Sequence, residues 1–254
     1  MDARRPYQGF SDIFLVESEG RSRFDSLQAT FDRAMSHGLS VRAVYTLSKS
    51  MDDASAFLGT PADPNYPQNS RNLDAEWAPS SFDVRHRLAL SYIVDLPRGN
   101  RWTRGMQIQG ITVVRSGQPF TPVLRFDNSN TGNTGGSTAG SDRPNLTGDP
   151  ALSNPTADAW FNTKAFAIPA PYTFGTAGRN SVRGPGYASF DLAVSKRIEI
   201  GGRGAVIVGL QVFNLFDRTN FDLPEHYADE PSTFGRIFSA KAPRQVQLTA
   251  RLTF

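Results

Sequence analysis

The last ten residues alternate strictly. Val246, Leu248, Ala250, Leu252 and Phe254 hold every second position, and Gln245, Gln247, Thr249, Arg251 and Thr253 lie between them. A strand sends successive side chains to opposite faces, so this segment has one wholly apolar face and one polar face. In a membrane β-barrel the apolar face meets lipid and the polar face a lumen. A half-buried strand of a soluble sandwich alternates in the same way, so recurrence along the chain has to decide between them.

Eight stretches read as strands by alternation. They lie near Phe10–Val16, then at Phe24–Ala34, Leu39–Lys49, Val84–Leu96, Gly105–Ser116, Tyr187–Ile198, Ala205–Phe216 and the C-terminal segment. Leu27, Ala29 and Phe31 oppose Ser26, Gln28, Thr30 and Asp32; Leu39, Val41, Ala43, Tyr45 and Leu47 oppose Ser40, Arg42, Thr46 and Ser48. Ile111 and Val113 blur the pattern in the fifth stretch. Most stretches are about 10–14 residues long, beyond the ~5–6 usual in soluble sheets and close to the ~9–11 that a tilted membrane-spanning strand needs.

The connections segregate by length. Tight turns around Ser36–Gly38, Pro97–Arg104 and Gly201–Gly204 alternate with long segments at Met51–Phe82, Gly117–Gly186 and Asp217–Ala242. Short turns on one rim and long loops on the other are the pattern of outer-membrane barrels, periplasmic and extracellular respectively. The expected fold is therefore all-β, an antiparallel transmembrane β-barrel, here a partial barrel of about eight strands with long extracellular loops. The loops are rich in Asn, Gly, Pro and Ser, and Asp127–Asp142 approaches low complexity and is expected to be mobile.

Composition removes several function classes. There is no cysteine, so disulfides, thiolate metal sites and cysteine nucleophiles are excluded. Mean hydropathy is negative. No run approaches the ~18 apolar residues of a spanning helix; the longest uncharged apolar stretch lies around Gly204–Phe216. The formal charge is +3, with basic residues scattered at Arg4, Arg5, Arg42, Arg85, Arg87 and Arg183, so nucleic acid is not an expected partner. The segment from Met1 to Tyr7 has no apolar run of the signal-peptide type.

Candidate chemistry is sparse. His37, His86 and His226 stand apart, with neither His-x-x-His nor His-Glu-x-x-His spacing, so no metal or cofactor site is expected. No Gly-x-Ser-x-Gly nucleophile motif occurs, and no catalytic residue and no enzyme activity are expected. His86, between Arg85 and Arg87, reads as an interfacial residue. Asp127–Gly132 resembles the start of a calcium loop, but Thr138 stands where an EF-hand loop places Glu. Gly178–Gly184 lacks the Gly-Lys-Ser/Thr ending of a phosphate loop and reads as a turn feeding the sixth strand. Tyr45, Tyr92, Tyr187, Phe190 and Phe221 fall near strand ends, fitting either an aromatic girdle or plain β-propensity. The inward positions include Asp32, Arg42, Arg87, Asp95, Asp191, Arg197 and Arg251. Packing these inside a small closed barrel would bury charge at high cost, so an open or curled partial sheet with exposed edges is expected.

Eight stretches in series carry a family resemblance: FDSLQATFDRAMSHGLSVRAVYTLSKSMDDAS (24–55), SFDVRHRLALSYIVDLP (81–97), SGQPFTP (116–122), WFNTKAF (160–166), GRNSVRGPGYASFDLAVSKRI (178–198), GLQVFNLFDRTNF (209–221), FGRI (234–237) and PRQVQLTARLTF (243–254). In this order the chain resembles the C-terminal β-barrel portion of TonB-dependent outer-membrane receptors, particularly the Oar-like group. The resemblance implies that residues 1–254 are part of a barrel of ~22 strands, with the plug domain and the N-terminal strands absent. It implies a place in the cell outer membrane and energised uptake of an unidentified ligand, which the chain is not expected to perform alone. The implied partners are outer-membrane lipid, the barrel-assembly machinery and, in the full-length protein, its own plug and an inner-membrane energy-coupling complex. Phe254 resembles the terminal aromatic that serves as the barrel-assembly signal. Two other readings remain open from residues alone: a secreted soluble β-rich module that binds a ligand through its loops, and an outer-membrane barrel enzyme.

Overall fold

A computed structural model describes residues 7, 9, 18–55, 66–97, 99–131, 142–201 and 204–254. In chain order, β1 (Ser22–Ser36) and β2 (Leu39–Asp52) form a hairpin, and β3 (Ala78–Pro79) pairs with the far end of β2. The second hairpin is β4 (His86–Asp95) with β5 (Met106–Arg115). Four two-residue strands follow: β6 (Pro119–Phe120), β7 (Asn145–Leu146), β8 (Phe166–Ala167) and β9 (Val182–Arg183). Next come the hairpin of β10 (Tyr187–Ile200) and β11 (Gly204–Phe213), and then β12 (Gln245–Thr253).

The seven long strands make one antiparallel sheet in the order β1-β2-β4-β5-β10-β11-β12. They correspond to seven of the eight expected stretches; the first, Phe10–Val16, lies outside the described residues. The sheet is all-β and is not closed on itself. The tight reversals after β1, β4 and β10 lie on one rim, and the long connections after β2, β5 and β11 start from the other. The three hairpins therefore point the same way.

The β1–β2 turn shows why the chain reverses so tightly. His37 and Gly38 both hold positive φ, 52° and 78°, the handedness that matches strand twist in two-residue hairpins. Gly38 also docks on the neighbouring strand: its carbonyl accepts the Asp95 N–H at 2.7 Å, and a Cβ there would stand 2.6 Å from the Asp95 oxygen.

Register confirms the two faces. Across the sheet, Leu27–Leu47, Tyr45–Leu88, Leu90–Ala43, Val94–Ile108, Val194–Leu210 and Leu210–Leu248 are paired on one side. Tyr92 lies opposite Gly110 on this apolar face, and a Cβ at Gly110 would come within 2.3 Å of the Tyr92 ring. The missing side chain makes room for the phenol, a cross-strand pairing that pins register. The other face holds Gln28, Asp32, Arg42, Thr46, Arg87, Ser91, Gln107, Asp191, Ser195, Gln211, Gln247 and Arg251. All seven charged residues expected to point inward lie on it. The blurring in β5 is physical: Val44, Ala89 and Val113 form a small apolar row on the polar face, beside an exposed Ile111.

Two expectations change. The seventh strand ends at Phe213 rather than Phe216. Asn214 turns left-handed (φ 50°), exchanges hydrogen bonds with the Arg218 backbone and donates its own N–H to Asp191 Oδ1 at 2.8 Å. The low-complexity loop is not wholly loose either. Ser129 donates to Asp142 through both N–H and Oγ, and Thr131 donates its N–H to Asp127 Oδ1, so both ends of the loop are tied; residues 132–141 lie outside the described residues.

The hydrophobic core lies outside the long strands. Of the buried hydrophobic residues, the seven long strands supply only Ala188 and Ala205. Phe120, Phe161, Ala165, Phe166, Ala177, Val182 and Phe234 pack together in the loop region. On the sheet, by contrast, Leu27, Phe31, Leu210, Leu248 and Leu252 are exposed. A soluble sheet covers its apolar face with a second layer; an outward face that meets lipid needs none.

Candidate functional site

The long loops build a cap on one rim, and three arginines tie it down. Arg143 forms a two-point pair with Glu76, Nη1 to Oε2 at 3.0 Å and Nη2 to Oε1 at 2.7 Å, with both side chains 4% exposed. Glu76 ends a one-turn 3₁₀ helix, Leu73–Glu76, and also accepts the Gln68 N–H. Gln68 in turn accepts from the Arg143 N–H and donates to the Gly175 carbonyl. Arg179 pairs with Asp52 at the end of β2, donates Nε to the Glu76 carbonyl at 3.0 Å and Nη1 to Ser55 Oγ at 3.0 Å. Arg183 on β9 pairs with Asp83 at 2.6 Å, whose other oxygen accepts the Ser50 N–H. Buried pairs persist when their remaining valences are filled, and here backbone groups fill most of them.

An aromatic cluster supports the ionic one. Phe161 meets Phe234 and Phe166 edge to face, with centroids 5.0 and 5.7 Å apart, a favoured geometry for ring pairs. Phe234 belongs to the third long connection and Phe161 to the second, so this core joins the two. Trp160 seals one side, donating Nε1 to the Arg183 carbonyl at 2.9 Å.

Where β10–β12 meet the cap, an open cleft of about 400 Å³ is lined by Tyr187, Ser189, Asp191, Asn214, Asn220 and Lys241. Ser189 and Asp191 lie on the polar, lumen-side face. Lys241 pairs with Asp222 at 2.5 Å, which holds that carboxyl below its ordinary range. Asp142 is shifted the other way: burial raises it, against the Ser129 hydrogen bonds that lower it. The cleft presents polar groups of both signs and is a candidate ligand surface rather than a reaction centre. Among the described residues no group of three or more His, Asp or Glu side chains is placed to hold a metal ion.

The residues singled out by sequence separate. Tyr45, Tyr92 and Phe190 lie on the apolar face; Phe190 meets Phe216 edge to face at 5.0 Å. Tyr187 instead lines the cleft, and Phe221 bridges to Ala240 in the third connection. His86 is on the apolar face opposite Leu47 and bonds the Tyr45 hydroxyl at 2.8 Å. Phe254 is fully exposed just past β12. Gly178–Gly184 does lead into the sixth stretch, yet it also delivers Arg179 and Arg183 to their buried carboxylates. Sequence reasoning missed those pairs because each joins residues 67 to 127 positions apart, with no local pattern to mark them.

His226 gives the cap a pH dependence. Burial pulls its imidazole down to about 4, against ~6.5 in an unfolded chain. The folded cap therefore keeps its full stability above ~6.5 and loses it as the pH falls toward 4, because only the open form takes the proton readily. The His226 carbonyl accepts the Val123 N–H, and the Val123 carbonyl accepts the Ala228 N–H. Corrected for intrinsic exchange, those two amides are expected to exchange faster at pH 4.5 than at pH 7, and His226→Asn to lose the difference.

The family model described as an outer membrane beta barrel domain matches residues 1–247, which takes in all seven long strands except the last residues of β12. No curated protein and no solved structure matches the chain. The all-antiparallel sheet, its uncovered apolar face, its one-sided loops and this match agree with one another. The chain belongs to the outer membrane beta barrel domain family and resides in the outer membrane.

Proposed function

We propose that the chain is the C-terminal wall and loop cap of a TonB-dependent receptor, which takes up a ligand when energised from the inner membrane. The carrying observation is a lumen face lined with exposed charge on a sheet that is not closed among the described residues. Among the described residues β1 and β12 are the sheet edges, and both run from the loop rim to the turn rim. Joining them would require a parallel pair, whereas bacterial single-chain barrels have an even number of antiparallel strands. Closure therefore calls for an odd number of strands beyond these seven, of which the expected stretch Phe10–Val16, outside the described residues, would supply one. A second copy in the same membrane orientation meets the same parallel joint. The lumen face supports a wide barrel: Arg42, Arg87, Arg197 and Arg251 are exposed there, where water rather than packing must solvate them.

In this reading the loops and the lumen wall select the ligand, the plug and coupling complex supply the energy, and the chain performs no catalysis. A soluble binding module would need a cover for the apolar face, and the described residues offer none. Phe254 serves as the assembly signal, its exposed ring lying at the periplasmic end of an edge strand. Deleting Phe254 is expected to reduce insertion of the protein into outer membranes severalfold without changing its synthesis; unaltered insertion would remove that role. Peptide mapping of heat-modifiable bands from native outer membranes tests the larger reading. Peptides of this chain should run in a polypeptide far above 27.8 kDa. A closed, heat-modifiable species of 27.8 kDa alone would overturn it.

A further inference from the structure

Lys196 stands on the lipid-facing side of the sheet, the face that also carries Arg23, Arg33 and Lys49 near the ends of β1 and β2. Lys196 on β10 lies between Met106 and Val208 in the cross-strand ladder, with Val194 and Ile198 as its same-face neighbours. A charge on the lipid face is tolerated only near an interface, and the surroundings place it there. Lys196 Nζ donates to the carbonyls of Arg101 and Trp102, each at 3.1 Å, both in the turn 97–105. It also stands 5.6 Å from the centre of the Trp102 ring. Trp102 is 67% exposed, and its indole carries the Arg101 guanidinium at 4.9 Å.

The turn is held firmly. Asn100 Oδ1 accepts the Trp102 and Thr103 N–H groups, the Thr103 hydroxyl donates to the Pro97 carbonyl, and the Gly105 carbonyl accepts the Arg197 N–H. Two of the three ammonium protons of Lys196 are thus used, leaving one donor. Arg104 adds a third positive charge in the same turn. The acids of the adjoining strand segments lie on the other face: Glu199 pairs with Arg197, and Asp95 accepts from Gln107. Ile198 and Ile200 carry β10 past the turn, both exposed, so the basic groups at the turn stand beside exposed apolar side chains.

We infer that this basic surface around Trp102 is a headgroup site for an anionic glycerophospholipid of the periplasmic leaflet. The phosphodiester accepts from Lys196 Nζ and the Arg101 guanidinium, and the acyl chains lie along Val194, Ile108 and Leu210 toward the membrane centre. A basic pair beside an indole at headgroup depth favours a net negative lipid over a zwitterionic one. The site depends on the outer-membrane location alone, not on what the receptor carries.

The test uses protein extracted from outer membranes and reconstituted into phosphatidylcholine vesicles. Phosphatidylglycerol with brominated acyl chains should quench Trp102 fluorescence at roughly fivefold lower mole fraction than brominated phosphatidylcholine. The quenched component is identified by its loss in Trp102→Phe. The preference should fall toward unity in Lys196→Gln and be reduced in Arg101→Gln, an exposed turn substitution that leaves the sheet untouched. Equal quenching by the two lipids in the parent protein, or an undiminished preference in Arg101→Gln, would overturn the site.

Discussion

Arg179→Ala is expected to open the loop cap while leaving the membrane sheet in place. The guanidinium and the Asp52 carboxylate it faces are 4% and 3% exposed, and Arg179 also satisfies the Glu76 carbonyl and Ser55 Oγ. Among the described residues, removing it leaves a buried carboxylate held by the Ser55 hydroxyl alone. Breaking one side of such a pair typically costs about 3–5 kcal/mol. The loss falls on the cap, because the cap has its own core and the sheet contributes little to it. Trp160, bonded to the Arg183 carbonyl, should report unfolding of the cap at lower urea than in the parent. Protease should cut within 53–85 and 116–186 sooner, and heat-modifiable migration should persist. Replacing Asp52 and Arg179 together by Leu and Met should recover much of the loss, since no charge is then stranded. If the single variant's cap melted at the parent's urea concentration, the ion pair would be ornamental.

What the sequence made legible follows from the range of the interactions. Strand faces are local: period two places Leu210 and Gln211 on opposite sides whatever the rest of the chain does, and seven expected stretches became strands. Turn positions are local as well, His37 and Gly38 among them. The loop cap was illegible because its ties are distant. Nothing near Arg143 announces Glu76, and nothing near Ser129 announces that it binds Asp142 across the two ends of an Asn-, Gly- and Ser-rich loop. Closure was only half legible. The inward charges argued against a small sealed barrel, but the edges, β1 and β12 among the described residues, appeared only in the fold. Lys196 was hidden in plain alternation: it interrupts the series Phe190, Leu192, Val194, Ile198, and only the fold brings Trp102 to it.

The sharpest test of which face meets lipid uses two adjacent residues of β11. Leu210 is 40% exposed on the apolar face, between Val194 and Leu248. Gln211 is on the lumen face, between Ala193 and Gln247. Both sit on the same strand, one residue apart, so backbone propensity and position along the strand are held nearly constant. Leu210→Arg places a guanidinium in hydrocarbon, at a cost of about 2–4 kcal/mol near the midplane of a barrel's lipid face. Gln211→Arg places it in the lumen, beside other polar groups and water, where the change should stay within about 0.5 kcal/mol. Denaturant titrations in phospholipid bilayers should separate the two variants by that margin. In a soluble module both side chains would meet water and the two substitutions would cost alike, or Leu210→Arg would even raise solubility. A large penalty at 210 with almost none at 211 is the signature of a sheet whose outer solvent is lipid, and no arrangement of a water-soluble sheet with both faces open reproduces it.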